Sequence, residues 1–258
     1  MAARLSDDRT APPRVHPPGV LACVDASPEA PAVCAYAAWL ARSAGPFVDV
    51  LHVEPSRGGP RRVVLTARDR LAAHGTAARH LRLDRGDVVE AVLAAESSAS
   101  VVVMGRGGAK TGLGVHAAGV LRHGRRPLCL VARVRLPARR ALVLLDANPD
   151  HHRTLAFAAH HPSLAGVRLD VVVLEPIGMD ARYKLALACE RLRPDGVEIY
   201  PMRFGPADPG VLRWLDNFPA DVVVLSREML LDQERGLGLV LERREIWRCR
   251  PALLIAPG

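Results

Sequence analysis

Residues 20–28 read VLACVDASP and residues 141–149 read ALVLLDANP. In each, five apolar or small residues run without polar alternation into an aspartate, Asp25 or Asp146, and the stretch ends at a proline. The two aspartates lie 121 residues apart, and the same spacing relates VEP at 53–55 to LEP at 174–176 and VVVMGR at 101–106 to VVVLSR at 222–227. A fourth pair, RPLCLVA at 126–132 and RPALLIA at 250–256, is 124 apart, so three residues are added before the last segment of the second copy. A spacing kept over several segments is an internal repeat, and it sets the unit of the fold before any element is assigned.

Continuous Val/Leu runs with little alternation are the pattern of parallel strands covered on both faces. Between them lie Ala-rich stretches, PEAPAVCAYAAWLARSAG and GDVVEAVLAAESS in the first copy and DHHRTLAFAAHHPS and PGVLRWLDNF in the second, long enough for crossover helices. Each copy therefore reads βαβαβαβαβ, an α/β unit, with the third strand expected near 77–83 and 197–204. Residues 1–18 hold four prolines and no periodicity and are expected to be a flexible tail. The first repeat is expected over 19–134 and the second over 139–258, joined by the basic, Pro-containing RVRLPARR at 133–140.

The composition, 49% hydrophobic and 24% charged, is that of a chain with a folded core. No apolar run approaches the roughly 18 residues of a membrane span, and the first residues lack the apolar region of a signal peptide, so a cytoplasmic protein without a membrane partner is expected. The five cysteines, at 23, 34, 129, 189 and 249, are odd in number and lack metal-ligand spacing, which reads as reduced, mostly buried thiols. The net charge of +8 comes almost wholly from Arg, with Lys only at 110 and 184. With 4% aromatics and no recognition module, a nucleic-acid partner is not expected.

An Asp ending strand one, V-E-P ending strand two and VVVMGRGG after strand four together resemble a tandem universal stress protein, in two copies over about residues 19–258. The resemblance implies a Rossmann-like fold of two tandem open parallel five-stranded sheets of the adenine-nucleotide α-hydrolase type. The strand order is 3-2-1-4-5, and the sheets pair through their last strands as a pseudo-dimer. It also implies a stress-response role through a regulatory protein partner, a possible homodimer, and ATP or AMP at the carboxyl ends of strands one and four. In the first repeat the implied crevice residues are Asp25, Val53, Gly105, Gly108, Gly114 and Val115. A sheet that reverses its winding leaves a crevice at that place in any case.

In nucleotide-binding members the loop after strand four is G-x2-G-x9-G-(S/T), whose glycines let backbone amides approach phosphate. Gly105 and Gly108 keep the opening, but five residues instead of nine separate Gly108 from Gly114, and Val115 replaces the hydroxyl. Four fewer residues remove up to about 13 Å of contour, and a lost hydrogen bond to a charged group costs about 1.5–3 kcal/mol. In the second repeat Ser226 and Met229 stand at the opening, Asp232 and Glu234 add negative charge, and Gly238 is followed by Leu239. No nucleotide is expected there, and no cofactor is certain in either repeat.

Asp25 and Asp146 each have two readings, a contact to adenosine or a cap on the following helix. Arg106 and Lys110 read either as counter-charges to phosphate or as a solvated loop face. The pairs His151-His152 and His160-His161 flank one helix, and nine helical residues hold them about 13 Å apart, too far to share an ion. His116 and His123 read as surface residues of the helix after the loop. Cys23 and Cys129 fall inside apolar strands as small hydrophobes. With no nucleophile on a strained turn, the chain does not read as an enzyme, although weak ATP hydrolysis by the first repeat stays open.

Overall fold

The computed structural model describes residues 18–44, 47–54, 61–107, 113–145, 151–173, 217–231 and 249–257, together with 198–199 and the single positions 179, 183, 186, 187, 190, 215 and 247. The first half is built from β1 (Gly19–Cys23), α1 (Ala30–Ala44), β2 (Phe47–Glu54), α2 (Arg62–Ala73) and β3 (Ala77–Arg85), then α3 (Val88–Glu96), β4 (Ala99–Gly105), α4 (Val115–His123) and β5 (Leu128–Val131). The second half supplies β6 (Arg140–Leu145), α5 (His151–His160), β7 (Arg168–Val173), β8 (Glu198–Ile199), β9 (Val222–Ser226), a short α6 (Arg227–Leu231) and β10 (Ala252–Ala256).

The ten strands form one sheet in the order β3-β2-β1-β4-β5-β10-β9-β6-β7-β8, so each half has the order 3-2-1-4-5 that the resemblance implies. Within each half every pairing is parallel. The joint is antiparallel, with Leu130 opposite Leu253, Cys129 opposite Leu254 and Leu128 opposite Ile255. The two expected five-stranded sheets are thus continuous, and two apolar strands that would otherwise be open edges cover each other. The third strands lie where the sequence put them, Ala77–Arg85 being two residues longer than expected and Glu198–Ile199 falling inside 197–204.

Alternate residues feed two cores. Val101 and Val103 face the side of α1, α2 and α5, while Val102 and Met104 face that of α3 and α4. On the first side Tyr36 and Trp39 of α1 meet edge to face at 5.9 Å, and Ser163 Oγ donates to the Leu40 carbonyl at 3.1 Å, bringing the second half against the first. Asp49 and Asp170, again 121 apart, are buried in β2 and β7. Arg79 and His80 engage Asp49, and Arg140 and Arg168 engage Asp170, as a carboxylate removed from water requires. No helix of the described residues is long and apolar enough to cross a membrane.

Candidate functional site

Between β2 and β4 the chain leaves β1 on opposite sides, and a crevice of about 510 Å³ opens at the carboxyl ends of these strands. That volume suits a small molecule. Its walls are Leu51, Val53, Val88, Val92 and Met104, and its polar groups come from Asp25, Glu29, His52, Asp87 and His116. Of the six residues expected here, Asp25, Val53, Gly105, Gly114 and Val115 line the crevice. Gly108 lies outside the described residues, as does Lys110.

Asp25 stands at the crevice wall and organises the turn into α1 as well. Its Oδ1 accepts from the Ser27 N–H at 3.0 Å, and the Ser27 carbonyl accepts from the Ala30 N–H at 3.2 Å. Asp87 does the same for α3, its Oδ1 accepting from the Glu90 N–H at 2.9 Å. His52 is only 8% exposed, and its Nδ1–H donates to the Val24 carbonyl at 2.8 Å, so that in the uncharged ring Nε2 is the acceptor. The Cys23 thiol also lines the crevice, and burial pushes it up to about 12, far from nucleophilic use.

The loop after β4 departs from a phosphate cradle in two ways. First, its neck is closed: the Gly114 N–H donates to the Arg106 carbonyl at 2.7 Å, and Gly107, at φ +64°, lies so near that a Cβ on it would meet the Gly114 Cα at 3.2 Å. Second, the Gly107 N–H donates to Glu29 Oε2 at 2.8 Å. A Cβ on Gly105 would stand 2.4 Å from that same oxygen. The close approach at Gly105 is therefore made by Glu29, an acid that the sequence reading did not single out. Leu113 packs against the core, whereas Val115 is 79% exposed at the start of α4. Gly119 belongs to α4.

Arg106 is a correction to the phosphate and solvated-face readings alike. It is 2% exposed, and its guanidinium crosses to the second half, where Nη1 donates to the carbonyls of Cys249 at 2.6 Å and Trp247 at 3.2 Å and Nη2 to that of Pro251. In the second half a helix follows the strand at once. Ser226 Oγ accepts from the Met229 N–H at 2.9 Å, so β9 passes straight into α6, and Met229 is buried in the core. Asp146, Asp232, Glu234, Gly238 and Leu239 lie outside the described residues.

The remaining candidates are absorbed by packing. His160 Nδ1–H donates to the Ala156 carbonyl at 2.8 Å, and His161 Nδ1 accepts from the Ser163 N–H at 3.3 Å. The side chains of His151 and His152 lie outside the described residues. Among the described residues no three His, Cys, Asp or Glu side chains gather as a metal site would require. Cys34, Cys129 and Cys249 are buried thiols.

No family model and no curated protein matches the chain. Solved structures do. A universal stress protein from Archaeoglobus fulgidus superposes with a TM-score of 0.72 at 17% identity, covering 94% of this chain and 97% of that one. A putative universal stress protein from Pseudomonas aeruginosa gives 0.67 at 15% identity, covering 92% of each. The cytoplasmic domain of a prokaryotic cation chloride cotransporter gives 0.57 at 11% identity, covering 93% and 95%. The chain has the fold of universal stress proteins, and because a transporter domain shares that fold, function must be argued from the site.

Proposed function

We propose that the chain is a stress-response regulatory module of the universal stress type, acting in the cytoplasm through a protein partner, without catalysis and without dependence on bound nucleotide. The observation that carries this is the closed neck of the loop after β4, where the Gly114 N–H is spent on the Arg106 carbonyl and the Gly107 N–H on Glu29. Backbone donors committed to the protein's own acceptors do not cradle a phosphate chain. The second half supports the reading further, since α6 begins at the residue after Ser226 and Met229, at the position of the second glycine, is buried in the core. The domains proposed are those of the repeat, 19–134 and 139–258, paired through β5 and β10.

The test is calorimetric titration of the full chain with ATP and AMP, with and without magnesium, after checking the preparation for carried-over nucleotide. No heat at millimolar ligand is expected. The other reading, an ATP- or AMP-dependent switch in the first half, is favoured by the size and position of the crevice. Micromolar binding at one site per chain would establish it and overturn the first.

A further inference from the structure

We infer that Glu29 is a charge-selecting residue, which fits the first-half crevice for uncharged, donor-bearing small molecules and turns phosphorylated ones away. This rests on the reading above that the loop no longer serves phosphate, and it adds what the crevice takes instead. The carboxylate has a built seat. Glu29 precedes the first turn of α1, its own carbonyl accepts from the Val33 N–H at 3.0 Å, and its Oε2 lies on the Gly107 N–H at 2.8 Å. The missing side chain of Gly105 leaves room for that oxygen, which a Cβ there would approach to 2.4 Å. An acid thus sits on the backbone donor where a ligand's anion would otherwise sit.

The surroundings point the same way. Asp25 and Asp87 line the same crevice, and the one arginine among its described lining residues, Arg106, directs its guanidinium across the joint to three carbonyls. A phosphate entering would face the partly buried Glu29 carboxylate, whose repulsion solvent screens least, together with the exposed carboxylates of Asp25 and Asp87. The apolar walls take the body of a ligand. His52, nine-tenths buried at the crevice, spends Nδ1 on Val24 and, with no partner for Nε2 among the described residues, offers that nitrogen as an acceptor for a ligand N–H or O–H. The acid also recurs in the repeat, with Asp150 standing 121 residues beyond Glu29.

Adenosine and AMP are a suitable probe pair, since they differ by the phosphate alone. Both are titrated by calorimetry into the full wild-type chain, Glu29→Ala and Glu29→Gln, with circular dichroism confirming that each variant is folded. Glutamine retains an acceptor for the Gly107 N–H and removes only the charge. The expected result is that wild type prefers adenosine, and that AMP gains on adenosine by about tenfold in Glu29→Ala and in the same direction in Glu29→Gln. An adenosine-to-AMP ratio unmoved by both substitutions, or no binding of either probe to any of the three proteins, overturns the role given to Glu29. Micromolar AMP binding by wild type instead overturns the proposed function, so the two failures are distinguishable.

Discussion

Arg106 and Arg227 occupy equivalent positions in the two halves, 121 residues apart, and each lays its guanidinium on backbone carbonyls of the other half. Arg106 reaches Trp247, Cys249 and Pro251, while Arg227 reaches Val120 at 3.1 Å, Leu121, and Arg126 at 2.7 Å. Both residues are buried. Each charge is thus matched by carbonyl dipoles at the end of the facing half's last helical segment or the turn after it, and the planar fork serves two or three acceptors at once. Removing either arginine leaves those carbonyls in a water-poor joint. Arg106→Ala and Arg227→Ala are each expected to lower stability by about 2–4 kcal/mol in urea unfolding, with lysine failing to restore it. A loss below about 0.5 kcal/mol would show that the joint is held by β5 and β10 alone.

Gly119 lies in α4 against α3, and a Cβ there would come within 2.6 Å of Val89 Cγ2. On an open helix, glycine to alanine gains about 1 kcal/mol. Here the branched Val89 side chain, stiff at χ1, cannot swing aside, and the overlap outweighs the gain. Gly119→Ala is expected to lower the Tm, and adding Val89→Ala to recover most of the loss. A single substitution that raises the Tm would refute this packing.

The strands and the repeat were legible because buried parallel strands must be continuous apolar runs, and four such runs recur at nearly one spacing; their order in the sheet came from the resemblance those runs carry. Asp25 was legible as a crevice residue because β1 ends there. The role of Arg106 was not, since a cation beside Gly105 and Gly107 reads as a phosphate contact or a solvated loop face unless the facing half is known. One signal was available: Arg227 keeps the arginine in a copy that has lost its first glycine to Ser226, which argues for a use independent of phosphate. Glu29 was hidden for a different reason. It stands 78 residues from Gly107, and only the pairing of β1 with β4 brings them together.

His161 carries a pH dependence. Burial holds its imidazole down to about 4 from the usual 6.5, in keeping with Nδ1 accepting from Ser163. Between these values the unfolded chain binds a proton that the folded chain does not, so stability falls as pH drops from about 6.5 to about 4. The contribution is about 2–3 kcal/mol. His161→Gln is expected to flatten the difference in unfolding free energy between pH 7 and pH 4.5 by about 2 kcal/mol. An unchanged profile would place the acid sensitivity elsewhere.

The thiols give a chemical check on the core. Burial pushes Cys23 and Cys129 up to about 12 and Cys34 up to about 11, so at pH 8 roughly one thiol in a thousand or fewer is ionised. Peptide mass spectrometry after iodoacetamide is expected to find these three unmodified in the native chain and fully modified in urea. Rapid native alkylation of Cys129 would mean that β5 is not sandwiched between β4 and β10.

The antiparallel joint of β5 and β10 has an evolutionary consequence. When two identical subunits meet along such a joint, a substitution in one appears in its mate as well, and both pockets must keep or lose a feature together. Joining the halves in one chain lifts that symmetry. Gly105-Arg106-Gly107 and Ser226-Arg227-Glu228 fit this: the arginine used on both sides of the joint stands in both copies, while its neighbours differ, free to serve one half without their counterparts following.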